Sequence, residues 1–96
     1  MKLAITDIRF HPCARDLRSS GLRGWATITV NDELILDSLQ VRRTLDGRNV
    51  ISFPTRLDAN GVAHPYYRTA TPGCRSSIET QVLRELAAKG WVFDEA

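Results

Sequence analysis

Tyr66–Tyr67–Arg68, with Arg56 before it and Arg75 after it, is the stretch of this sequence best equipped for surface chemistry. Aromatic rings stack on exposed bases, and guanidinium groups meet phosphates. In extended backbone Tyr66 and Tyr67 point to opposite sides, so at most one of them faces a given ligand. The plainer alternative is that one tyrosine is core and the arginines are simply solvated. Arg42 and Arg43 make a secondary basic pair. His64 and Pro65 read as structural turn residues, with His64 either fixing the turn through a ring hydrogen bond or packing half-buried. Trp25 belongs to the core, to a dimer interface or to a stacking platform, in that order.

Catalytic chemistry finds no comparable foothold. The sequence has no glycine pattern of the P-loop or dinucleotide-binding type and no paired acids at a catalytic spacing. Scattered Ser, His and Asp residues make a triad only through geometry. The chain is therefore expected to be no enzyme, with no cofactor and no small-molecule substrate. His11, Cys13, His64 and Cys74 lack the paired spacing of a zinc site, so no metal is expected. The two cysteines are expected to be free thiols, as in a reducing compartment.

Charge is unevenly distributed. Eleven of the thirteen cationic residues are arginine, whose planar fork suits phosphate and carboxylate. Residues 9–23 carry Arg9, Arg15, Arg18 and Arg23 against Asp16 alone. Residues 24–41 carry only the acids Asp32, Glu33 and Asp37. From Arg42 to Arg75 six arginines face Asp46 and Asp58, a local charge of +4.

These side chains need a scaffold, and 96 residues suffice for a single domain spanning 1–96, with its core at 3–89 and an apolar, acidic tail at 90–96. The alternation of Leu3–His11 changes phase near Thr6–Asp7, which predicts a strand with a bulge or a strong twist. Cys13–Leu22 reads as a mobile loop. Arg23–Val30 is a strand, with Ala26, Ile28 and Val30 on one face. Leu34–Thr44 is a third, with Ile35, Leu39 and Val41 on one side, and with Asp37 near an edge or paired with a base. An Asp46–Gly47 turn leads to a fourth strand, Asn49–Phe53. Leu57–Gly61 is a turn, and Val62–Arg68 is a short strand interrupted by Pro65. Thr71 and Pro72 suit the cap and first position of a helix, although Gly73 leaves a start nearer Arg75 open. Ile78, Val82 and Leu86 form its buried stripe, and Gly90 its terminator. Trp91–Val92–Phe93 then packs on the core or on a partner subunit. The fold class is α+β: a meander-like antiparallel sheet of four to five strands with one C-terminal amphipathic helix packed on it. No segment has the roughly 20 apolar residues of a membrane span. No signal peptide is evident, so the cytoplasm is the default.

Several motifs, in order, resemble one bacterial family. Thr6–Asp7–Ile8–Arg9, Gly21-x-Arg23-x-x-Ala26-x-Ile28–Thr29, Phe53–Pro54–Thr55–Arg56, Asp58-x-x-Gly61 with Ala63–His64–Pro65, and Arg75-x-x-Ile78-x-x-x-Val82–Leu83 are similar to the stage V sporulation protein G family of septation regulators. The likeness runs from Ile5 to about Leu86. The chain departs from the pattern at Tyr66–Tyr67, in about four additional residues within Arg68–Cys74, and at Ser77, where the family often has lysine. The resemblance implies a homodimer that binds DNA, and in some members RNA, as a regulator of cell division, sporulation or gene expression, through a basic surface near the helix. The expected interface is Arg56, Arg68 and Arg75, with Arg42, Arg43, Tyr66 and Tyr67. DNA is favoured over RNA, and a non-catalytic protein-interaction module is the alternative.

Overall fold

The computed structural model describes residues 3–91. Strands β1 (Ile5–Pro12), β2 (Leu22–Val30), β3 (Leu34–Arg43) and β4 (Asn49–Ser52) form one antiparallel sheet in that order. A separate two-stranded ribbon follows, β5 (Thr55–Leu57) paired with β6 (Ala63–Pro65), and then one helix, α1 (Pro72–Ala88). The architecture is the expected α+β meander with its C-terminal helix. The would-be fifth strand belongs to the ribbon rather than to the sheet.

β2 lies inside the sheet, and its alternation shows why. Ala26, Ile28 and Val30 are buried, while Thr27 and Thr29 sit half-buried on the other face. The register of β1 against β2 slips between Ile5 and Asp7, where the apolar phase of the sequence changes. A hydrogen at Gly24 lets β1 and β2 close up, since a Cβ there would lie 2.4 Å from the His11 carbonyl oxygen and 2.5 Å from the Phe10 ring.

β3 departs from expectation. Ala26 faces Leu39 and Ile28 faces Leu36, so Asp37 and Ser38 together lie against Thr27. Ser38 takes a positive φ of 64° to accommodate the additional residue. The bulge inverts the strand's phase. Leu39 and Val41 remain buried and Leu36 packs against the core, but Ile35 turns outward and is 62% exposed. Ile35 is thus not a core residue. Asp37 is exposed, and its partner is a hydroxyl rather than a base: Thr27 Oγ1 donates to its carboxylate at 2.7 Å.

The presumed loop after β1 contains a short 3-10 helix, Arg15–Ser20. Cys13 beside it is buried, its thiol 3.2 Å from the Leu22 carbonyl oxygen. Both cysteines are free.

α1 begins at an N-cap, Thr71, whose Oγ1 accepts from the Cys74 N–H at 3.1 Å, with Pro72 in the first turn. It ends in a Schellman pair: Gly90, at φ 88°, donates to the Ala87 carbonyl and Trp91 to that of Leu86. Ile78, Val82 and Leu86 are buried against the sheet. Each such side chain stabilises the fold by about 1.5–3 kcal/mol.

The helix also reaches both edges of the sheet. At β4 the Ile51 N–H donates to Glu79 Oε2 at 2.9 Å, and the Ile51 carbonyl accepts from Arg75 Nη2 at 2.7 Å. At β1 Gln81 Oε1 accepts from the Ile5 N–H at 3.4 Å, and Lys89 Nζ donates to the Ile8 carbonyl at 3.1 Å. A helix of 17 residues is about 25 Å long, and four strands are about 14 Å across. Laid across the sheet, α1 is long enough to serve both rims. Trp91 packs edge-on against Phe10, ring centroids 4.8 Å apart. The rest of the apolar tail expected at Trp91–Val92–Phe93 lies outside the described residues.

Candidate functional site

The ribbon β5–β6 holds most of the expected site. Arg56 pairs with His64 and Thr55 with Pro65, and the Tyr66 N–H extends the ladder to the Pro54 carbonyl at 3.0 Å. Directly paired residues share a face, and so do residues two apart. Arg56 and His64 therefore lie on one side of the ribbon, and Tyr66 follows in the bend at its end. Pro65 has no N–H to offer a neighbour, which suits a strand at an edge.

Asp58 organises the turn. Its Oδ1 accepts from the N–H groups of Asn60 at 2.8 Å and Val62 at 2.9 Å. Its backbone N–H donates to Val62, and its carbonyl accepts from Gly61. Its Oδ2 lies 2.8 Å from His64 Nε2. An ionised carboxylate only accepts, so Nε2 carries the proton. The bond from His64, then those from the backbone, hold the Asp58 carboxyl below its ordinary value.

The two tyrosines, in the bend after β6, divide between solvent and core. Tyr66 is 67% exposed. Tyr67 is half-buried, its ring 5.5 Å from that of Phe53 and its hydroxyl donating to the Asp37 backbone carbonyl at 2.8 Å. Burial first, then the Asp37 charge, push its phenol up to about 12. Tyr67 anchors the segment and Tyr66 presents a free ring.

The arginines divide as well. Arg56 and Arg68 are exposed and make no ion pair among the described residues. Arg9 and Arg48, also exposed, are matched by Asp7 and Asp46. Arg75, also exposed, spans to β4: besides its bond to Ile51, its guanidinium stacks 5.2 Å from the Phe53 ring centroid. Arg42 is braced by Gln40 Oε1 at 2.8 Å and the Ser20 carbonyl at 3.0 Å. Arg43, at the end of β3, donates its backbone N–H to Gly21. Tyr67 ties the ribbon's end to Asp37, about 20 Å along β3 from Arg43 at ordinary strand rise. The structure thus sets Arg56 and His64 on one face with Tyr66 at the ribbon's end, leaves Arg68 in the following segment, and sets Arg42 and Arg43 towards the far end of β3.

Two participants escaped sequence reasoning. Glu79 caps Ile51 across a separation of 28 residues, and no local pattern announces it. Arg23 is buried at 9% exposure, and its only sequence signal is a charge within an otherwise uncharged strand.

Among the described residues no three His, Cys, Asp or Glu side chains come together to hold a metal, and no helix is long and apolar enough to cross a membrane. The sequence matches no protein-family model, and no curated protein matches it.

Proposed function

We propose that the chain is a homodimeric, non-catalytic, nucleic-acid-binding regulator that takes DNA in preference to RNA, with the β5–β6 ribbon as its reading element. One observation carries the proposal: the exposed Arg56 stands on a ribbon separate from the sheet, and the exposed ring of Tyr66 follows directly at its end. A two-stranded ribbon fits the major groove, roughly 12 Å wide. There a guanidinium bridges guanine O6 and N7, or holds a phosphate. Arg68, exposed and without an ion pair among the described residues, adds a phosphate contact. The Asp58 carboxylate keeps its charge, but its oxygens bond the turn amides and His64, and it makes no ion pair with Arg56 among the described residues. Tyr66 would stack on an exposed base, worth roughly 1–3 kcal/mol where it occurs. The resemblance to stage V sporulation protein G supports the dimer, the cytoplasmic setting and a role in septation or sporulation.

A second reading has its own observation. Leu57 and Val62 flank the turn at 70% and 53% exposure. Apolar and aromatic groups beside arginine also make protein interfaces. On this reading the ribbon docks a protein.

The test is fluorescence anisotropy with random duplex and single-stranded pools at two salt concentrations, comparing the parent with Arg56→Ala/Arg68→Ala. Arg75 stays intact because it ties the helix to β4. Binding to duplex that weakens steeply with salt, and weakens further in the variant, supports the proposal. Unchanged affinity in a folded variant rules out this surface, and a parent that binds nothing at low salt transfers the function to the protein-docking reading. Light scattering should give twice the 10.8 kDa chain mass.

A further inference from the structure

We infer that the first part of β3 is a docking edge for an extended, basic segment of a partner protein, which joins the sheet as a further strand. β3 has ten residues and β4 has four, and β4 pairs only with Gln40–Arg43. Leu34–Leu39 therefore overhangs, with β2 on one side and no strand on the other. Elsewhere the helix closes the rims of the sheet, at Ile51 and at Ile5 and Ile8. Among the described residues neither strand of the ribbon touches β3.

The open main-chain groups can be identified. N–H and C=O direction alternates along a strand. The Asp37 carbonyl is taken by the Tyr67 hydroxyl, on the edge away from β2. Ile35, two residues earlier, turns its N–H and carbonyl the same way, while Leu36 between them faces Ile28 of β2. Among the described residues no backbone bond reaches Ile35 from that side. Leu34, at 57% exposure, and Ile35 stand beside these groups. Ile35 shares the uncovered face of the sheet with Thr29, and Leu36 packs against the core. An unpaired edge beside exposed apolar side chains is a template for strand addition.

Charge selects the occupant. Asp32 and Glu33 precede the overhang and Asp37 lies within it; all three are exposed, and none makes an ion pair among the described residues. Residues 24–41 contain no Lys or Arg. Glu33 and Asp37 are about 13 Å apart at ordinary strand rise, so a strand with a basic residue at each end of a three-residue apolar run meets both. A second copy of this segment fits poorly. Two-fold pairing centred on Ile35 would set Glu33 against Asp37, and like charges directly opposite destabilise a pair. The turn is fixed beforehand. The Ala4 N–H donates to Asn31 Oδ1 at 2.9 Å, the Asn31 N–H to the Ala4 carbonyl at 2.7 Å, and the Asp32 N–H to Thr6 Oγ1 at 3.2 Å. A held edge loses little freedom on binding.

Amide NMR titration of the full chain tests this with three capped pentapeptides: Lys-Val-Thr-Val-Lys, the same with Glu for each Lys, and the same with Pro for Thr. The basic peptide should give saturable shifts at Leu34–Asp37 and lose affinity as salt rises. The other two should bind at least about fivefold more weakly, one through charge and one through a missing N–H. Ile35→Pro removes an N–H that the β2–β3 ladder does not use, and should weaken the basic peptide about threefold or more. Glu33→Lys should weaken it about two- to fivefold and favour the acidic peptide. No saturable shift, shifts away from the overhang, or equal binding of all three peptides overturns the site. Loss of a dimer mass in Ile35→Pro, by light scattering, also overturns it, because the edge would then belong to a second copy. If Ile35→Pro does not fold, the parent titration and Glu33→Lys decide.

Discussion

Tyr67 and Asp37 meet through both main chain and charge: the phenol donates to the Asp37 carbonyl at 2.8 Å and feels its carboxylate. The folded phenol titrates at about 12, against an ordinary value of 10.0. Between these values the unfolded chain gives up a proton that the folded chain keeps, so stability falls as pH rises through that window. Urea unfolding from about pH 9 upward should show this decline in the parent and less of it in Tyr67→Phe. At neutral pH Tyr67→Phe should cost about 0.5–1.5 kcal/mol. An identical alkaline decline in both proteins would mean that other groups cause it.

Glu79→Ala strands the Ile51 N–H and should cost about 1–3 kcal/mol. Arg75→Ala should cost a similar amount, and the double variant less than the sum, because both side chains serve one residue. Glu79→Gln keeps an acceptor and should lose less. Uncapping β4 also leaves a strand edge open to pairing, so light scattering of Glu79→Ala should show larger species than the parent. Full additivity in unfolding measurements would argue against a shared cap.

The Asp58 carboxyl, held low by His64 and the turn amides, contributes stability that is complete above 3.8 and disappears as pH falls through its lower folded value. The amide shifts of Asn60 and Val62 should therefore titrate with a midpoint below 3.8. In His64→Ala that midpoint should move upward. A parent midpoint at or above the ordinary value would remove the turn from the account.

Gly24→Ala places a methyl 2.4 Å from the His11 carbonyl oxygen. The obstacle is backbone, which cannot swing aside, so a loss at the upper end of about 1–3 kcal/mol, or more, is expected by calorimetry. A variant as stable as the parent would show that β1 can shift away from β2.

Much of the frame was legible because its signals are local. The change of phase at Thr6–Asp7 foretold the first bulge, and Thr71–Pro72 and Gly90 marked both helix ends. The second bulge was missed because nothing in Asp37–Ser38 announces a left-handed serine; Leu36 and Leu39, three apart, were the trace it left, and Ile35 was misplaced as a result. The ribbon was only half legible: a short strand was expected within Val62–Arg68, but its partner β5 (Thr55–Leu57) was not, and the reading that set Tyr66 and Tyr67 to opposite sides did not say which would be buried. The bond from Arg75 to the Ile51 carbonyl was not foreseen, because the partner lies 24 residues away, where only tertiary packing reveals it.

A helix that binds the main chain at both rims of a sheet makes those rims report on the helix. The Ile51 amide cannot exchange its hydrogen with solvent while Glu79 holds it, and the Ile5 amide is held likewise by Gln81. Their deuterium uptake should follow the undocking of α1 rather than the fraying of β4 or β1. Two strand amides at opposite margins would then keep a common clock, set by an element to which neither belongs.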